Sequence, residues 1–158
     1  MAFVSALLEE LKPPNWTNIT YLDGNFVKVP LTNNCEEYKQ IYSEFNTTCK
    51  LEVVSITRIQ HPFAFCRFKL RQKQLYHRTG MMPKEIRKFY RLRKDNMVDE
   101  ILEYNCDQRR DCVFEGHFTN SSGGKYVVVA KTFENYSFNE RDSNRFPEYL
   151  IECNLNTT

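Results

Sequence analysis

Arg145-Phe146-Pro147-Glu148-Tyr149-Leu150-Ile151 runs into Glu152-Cys153, and its apolar, aromatic-rich end predicts a last strand around Tyr149 to Cys153. A polar stretch, Asn135 to Asn144, precedes it and reads as a loop. Further back, Tyr126 to Ala130 is a nearly continuous apolar run, the pattern of a strand covered on both faces. Leu51 to Gln60 is rich in β-branched residues and predicts another strand, and Lys88 to Leu92 a short one. Between these lie helical signals. Asn34, with Glu37 three residues on, predicts a helix start, and Tyr38, Ile41, Tyr42 and Phe45 give one apolar stripe over residues 36–46. From Pro62 a second helix turns Phe65, Phe68 and Leu75 inward and leaves Arg67, Arg71 and Lys73 outside, until Gly80 and Pro83 break it. Asp95 or Asn96 caps a third, with Met97, Val98, Ile101 and Leu102 on one face. Gly123-Gly124 marks a turn. The mixture, with strands concentrated late, predicts an α+β domain.

The 158 residues predict one domain, 1–158, with residues 1–14 an amino-terminal segment set off by Pro13-Pro14. A hydrophobic fraction of 41% with 14% aromatics is folded-protein composition. No stretch approaches the roughly 20 apolar residues of a membrane-spanning helix. Ala2 to Leu8 runs straight into Glu9-Glu10 without a basic start, so no signal peptide is read, and an intracellular place (cytoplasm or nucleus) with free thiols is expected. Six cysteines and six Asn-x-Ser/Thr sequons (Asn15, Asn18, Asn46, Asn120, Asn135, Asn156) pull the other way, toward secretion and three disulfides. No cysteine pair has C-x-x-C spacing and His61, His77 and His117 are far apart, so no metal site is expected.

Charge is unevenly divided. Residues 67–94 hold eleven Lys or Arg against one acid, Glu85, a net +10, while the remainder carries 11 basic and 19 acidic residues, a net −8. Arg67, Lys69, Arg71, Lys73, Arg78, Lys84, Arg87 and Lys88 are the candidate anion-binding patch, suited to RNA, nucleotides or acidic protein surfaces. A solvated helix face that meets the acidic remainder of the same fold accounts for them equally well.

Four stretches, in order, resemble the catalytic domain of the poly(ADP-ribose) polymerases (PARPs), of the mono-ADP-ribosylating type. Asn15-Trp16 with Glu37-Tyr38, Phe45 and Thr48 is similar to the family's opening, and Val54 through Ile59-Gln60 to Phe65, Phe68 and Lys73 to its Arg-Ile-Gln-Asn block, with His61 where Asn is usual. Met97-Val98-Asp99, Ile101 and Asn105 to Arg109 resemble the helix and turn after the NAD-binding histidine, and Phe146 to Ile151 resembles the family's ending. The resemblance implies a truncated ADP-ribosyltransferase fold of mixed or antiparallel sheets with flanking helices.

The departures from that pattern bear on function. Where family enzymes place His-Gly-Thr to grip NAD, this chain has Arg91-Leu92-Arg93. A guanidinium has no acceptor and Leu92 brings a branched side chain in place of glycine, so both are expected to fill or repel the nicotinamide-ribose pocket. Glu115 to Thr119 and Gly123 to Tyr126 are the nearest matches to the family's nicotinamide-stacking strand, the first favoured because Val127 to Lys131 with Tyr136 resembles the next family strand; Phe118 is then the ring left to stack, and the Tyr-Ser element is missing. The strand bearing the last catalytic residue is expected shortly before Pro147, where loop-like Asn139 to Asn144 stands: either that strand is lost, with Glu140 the one candidate substitute, or Tyr126 to Ala130 stands in for it and another is lost.

The resemblance therefore implies a catalytically inactive PARP-like domain, with Tyr90, Arg91, Leu92, Arg93 and Phe118 at degenerate NAD positions. It would act as a binding module for a protein partner or a second copy, and its relatives point to antiviral defence or gene silencing. An active mono-ADP-ribosyltransferase using NAD, with Tyr90, His117 or Phe118 contributing, is the alternative. Binding of RNA or another polyanion through residues 67–94 is a further one, with Phe68, Tyr76, Phe89 and Tyr90 interleaved for base stacking. No cofactor is expected unless the enzyme reading holds.

Overall fold

Val127, Val128, Val129 and Ala130, the most apolar run of the chain, are all fully buried in the computed structural model, which describes residues 12–17, 26–103, 112–113, 123–134 and 144–155. They form the middle of strand β5 (Tyr126–Phe133). Its neighbours are β6 (Arg145–Asn154) and β3 (Glu85–Leu92); β2 (Glu52–Gln60) and β1 (Val27–Pro30) extend the sheet beyond β6, and the two-residue β4 (Cys112–Val113) extends it beyond β3. The order β1-β2-β6-β5-β3-β4 makes one six-stranded sheet in which every neighbouring pair is antiparallel. The expected α+β class is what these residues form, as one antiparallel sheet with helices on both faces.

Side chains alternate across the sheet, so each face gathers its own core. On one face Phe89, Val127, Val129, Tyr149, Ile151 and Ile56 meet Ile41 and Phe45 of helix α1 (Glu36–Thr48). At one end, Phe133 and Phe146 meet Phe65 and Phe68 of helix α2 (Pro62–Thr79) and Trp16; Phe68 stacks on Phe133 at 4.2 Å between ring centres. The opposite face, with Ile59, Tyr90, Leu92, Val128, Ala130 and Leu150, is covered by Val98, Ile101 and Leu102 of helix α3 (Val98–Glu103).

The helix ends explain where the periodicity starts and stops. α1 begins one residue later than the Asn34 cap expected from sequence: Cys35, in extended conformation, is the cap, and its Sγ accepts the Tyr38 N–H at 3.4 Å. Glu36 and Glu37 in the first turn complement the helix dipole. His61 caps α2 by accepting the Ala64 N–H on Nδ1 at 3.2 Å, and Pro62 takes the first turn, where its missing N–H costs nothing. Gly80 ends α2 at φ 75°, left-handed backbone that glycine adopts without penalty. A single 3₁₀ turn, Asp95–Met97, precedes α3, and Asp95 accepts the Lys125 N–H at 2.8 Å.

Candidate functional site

The strand end that the sequence singles out splits between the two cores. Tyr90 and Leu92 are 1% and 0% exposed and lie in the α3-side cluster, whereas Arg91 lies on the other face, in a cross-strand row with Val127 and Ile151. Arg93 is exposed, and Phe118, His117 and Glu140 fall outside the described residues. Adjacent strand residues point opposite ways, so Arg91 and Leu92 do not fill one pocket together, as was expected; each is packed into a separate interior.

Arg91 is the largest fully buried side chain among the described residues. Its Nε donates to the Gly124 carbonyl at 2.7 Å and Nη2 to the Gly123 carbonyl at 3.1 Å, while the Gly124 N–H returns a bond to the Leu92 carbonyl at 2.8 Å. The diglycine turn is thus a cradle for the guanidinium. A Cβ on Gly123 would stand 3.0 Å from the Leu92 oxygen and 3.1 Å from Arg91 Nε, so glycine is what lets the two backbones approach. Two thiols share this interior. Burial pushes Cys153 up to about 12, the Cys49 sulfur adding to it and the Arg91 charge opposing it, and burial likewise raises Cys49. Both are free thiols and stay protonated, as does Cys66, pushed up to about 11 by burial.

A second region is polar. Where α1 and α2 part over their face of the sheet, a cleft of about 520 Å³ opens, floored by Arg58, Tyr149, Glu148, Arg87 and Lys131. Glu37 is its hub, accepting from Asn15 Nδ2, Arg58 Nη1 and the Tyr149 hydroxyl, each at 2.7 Å. Arg87 Nε donates to Glu148 at 2.7 Å and Nη1 to Glu44 at 2.8 Å; Lys131 lies 3.3 Å from Glu148 and 3.5 Å from Glu85, which also holds Lys69 at 2.8 Å. Burial alone would raise the Glu85 carboxyl, but the bond and charge of Lys69, with Lys131 and Gln72, hold it below its ordinary range. Burial would likewise lower Arg87, yet its bond to Glu148 and the charges of Glu148 and Glu44 raise it. Burial pushes the Tyr149 hydroxyl far up, and its bond to Glu37 adds to the effect. Glu85, Arg87 and Tyr149 are each driven toward their resting state at neutral pH. That serves cohesion rather than proton transfer.

Residues from three of the four resembling stretches meet at this cleft. Asn15, Trp16, Glu37, Arg58, Phe65, Phe146, Glu148 and Tyr149 all line it, and Gln60 ties Thr17 to the same wall, accepting its N–H at 2.9 Å. Sequence reading found these residues as motifs without foreseeing that they meet.

The basic span is likewise divided. Lys69 and Arg87 belong to the cleft, and Lys84 lies 3.8 Å from Glu134. Arg71, expected outside, is buried: its Nε donates to Asn144 Oδ1 at 3.2 Å, because α2 packs against the start of β6. Lys88 is half-buried, and Arg67, Lys73 and Arg78 are exposed. Residues 67–94 are therefore no single patch. Among the described residues no group of His, Cys, Asp or Glu is arranged to hold a metal ion, and no helix is long and apolar enough to cross a membrane. No family model matches the chain, and no curated protein matches it.

Proposed function

We propose that this chain is a PARP-like domain that has lost NAD chemistry and serves as a binding module, with antiviral defence or gene silencing the setting its resemblance suggests. One observation carries the reading: the residue standing where the resemblance puts the NAD-gripping histidine is a fully buried arginine, bonded to the Gly123 and Gly124 carbonyls. An imidazole at such a position offers an acceptor and leaves space; a guanidinium held by two carbonyls offers neither. The sheet pairing supports kinship, since the two strongest landmark stretches lie side by side with Ile56 opposite Ile151 and Arg58 opposite Tyr149. The loop-like stretch Asn139 to Asn144, which this reading takes in place of the strand completing the donor site, lies outside the described residues but for Asn144.

The test is NAD itself. With millimolar NAD or a nicotinamide mimic, the melting temperature should stay within a degree of the free protein, and labelled NAD should leave no mark on the chain. A saturable stabilisation together with transfer of label would establish the active mono-ADP-ribosyltransferase instead.

A further inference from the structure

We propose that the solvent face of α2 and the Met81-Met82 turn form a docking surface for an acidic, amphipathic segment of a partner protein. The proposal rests on the binding-module reading and names where that module binds.

α2 holds five Lys or Arg and no Asp or Glu in 18 residues. Lys69 and Arg71 turn to the fold, which leaves Arg67, Lys73, His77 and Arg78 exposed, with Gln74 among them. At 100° per residue Arg67, Gln74 and Arg78 make one stripe, and His77 and Lys73 follow about 80° and about 120° round from it, on the side toward Tyr76. The helix dipole accounts for His77 and Arg78 in the last turn, but not for Arg67 near the start. Nor does the helix supply a carboxylate three or four residues from Arg67, His77 or Arg78.

The apolar part lies at the carboxyl end of the same helix. Among the described residues five large hydrophobics are exposed, and three of them, Tyr76, Met81 and Met82, fall within seven residues. The methionines are 74% and 58% exposed. They sit on a tied turn: the Gly80 N–H donates to the Tyr76 carbonyl at 2.7 Å, the Thr79 hydroxyl to the Leu75 carbonyl at 2.8 Å, and the Met81 N–H to Thr79 Oγ1 at 3.2 Å. Isolated exposed apolar residues are ordinary, but two adjacent thioethers and a ring presented by a capped turn make an adaptable apolar anchor site.

Charge complementarity selects an anionic occupant, and the anchors decide its class. Phosphates and unpaired bases would engage the cations and Tyr76 but gain little from two thioethers. A helix or strand carrying Leu or Phe among Glu or Asp engages both. A single helix face with one turn is at the small end of specific interfaces, so micromolar affinity is expected.

The experiment labels methionine methyl groups in the full chain and follows them by NMR. Of the four methionines, Met81 and Met82 report on the surface, and Met97, packed against the α3-side core, is the internal control. The probes are a synthetic 16-residue peptide with Leu at helical spacing on a Glu background, the same peptide with Lys for Glu, and a 12-mer of uridine. The Glu peptide should shift Met81 and Met82 saturably and leave Met97 in place, weakening about tenfold between low and moderate salt. The pair Arg67→Glu and Arg78→Glu should weaken it at least tenfold, and Met81→Ser with Met82→Ser about fivefold, without moving the melting temperature. The proposal is overturned if the Glu peptide leaves both methyls unmoved, if the Lys peptide binds as well, if the uridine oligomer binds the same residues more tightly, or if the surface proves to be covered by a second copy of the chain. NAD binding in the same sample bears on the lost-enzyme reading alone, because Arg91 is no part of this surface.

Discussion

Acidification from pH 7 to pH 5 should cost the folded chain about 2 kcal/mol through one residue, His61. Burial lowers this imidazole from 6.5 to about 4; a backbone group of Glu103 offsets part of the shift and the Arg67 charge adds to it. Its ring stacks on Phe26 at 6.0 Å, and Nδ1 accepts the Ala64 N–H that starts α2. The folded value is the depressed one, so above 6.5 both states are neutral and nothing is lost. Between 6.5 and about 4 the unfolded chain takes up the proton first, and stability falls by about 1.4 kcal/mol per pH unit, roughly 3 kcal/mol in all. At pH 5 about 2 kcal/mol has gone, a fall in melting temperature of roughly 4–8 °C for a domain of this size. His61→Asn separates this from general acid sensitivity. Its side-chain oxygen still accepts the Ala64 N–H, so the cap survives, while the titration disappears. Urea unfolding of both proteins at pH 7, 6 and 5 is the assay. The natural chain should lose about 2 kcal/mol across the range and the variant only a few tenths. Glu85 does not confuse the window, since a carboxyl held below its ordinary range yields its contribution at lower pH. Equal losses in the two proteins would refute the argument.

Three further outcomes follow from the packing. Gly123→Ala should destabilise by about 1–3 kcal/mol, because its Cβ would crowd the Leu92 carbonyl and the Arg91 guanidinium; thermal unfolding reads it directly. Tyr149→Phe removes the hydroxyl that donates to Glu37 and should cost about 1–2 kcal/mol by urea unfolding, with no gain or loss of ligand binding. Phe45→Ala empties a fully buried place between α1 and Phe89, 5.6 Å away between ring centres, and should cost about 3–5 kcal/mol, checked by calorimetry.

Much of the frame is legible in the chain because burial writes a period into it. The apolar stripe of α1, the Pro62 start and Gly80 stop of α2, and the uninterrupted Val127-Val128-Val129-Ala130 run each specify their element locally. β5 nevertheless continues three residues past Ala130, and β6 starts at Arg145 rather than Tyr149, because pairing across the sheet carries strands beyond their apolar centres. β1 carries no such signal: Val27-Lys28-Val29-Pro30 is too short to show a period and becomes a strand only by pairing with Arg58 and its neighbours. β4, two residues long, leaves no signal at all.

The sites were less legible than the frame. Their residues were found, but not their relations. Residues 67–94 are one basic span in sequence, whereas in the fold Arg87 is drawn to Glu148 and Glu44 from elements distant in sequence, and Arg71 to Asn144. Strand alternation, available from the sequence, would have set Leu92 and Arg91 on opposite faces. What no local pattern could foretell is that the diglycine turn receives the guanidinium, since that contact spans more than thirty residues.

Selective ¹⁵N labelling of the five glycines, followed through an NAD titration of the full chain, bears most directly on the claim that Arg91 has closed this strand end to a dinucleotide. With the guanidinium seated on their carbonyls, the Gly123 and Gly124 amide signals should hold their positions up to several millimolar NAD. Saturable movement of either one at submillimolar NAD would mean that the turn yields to a cofactor and that the chain keeps a working donor site.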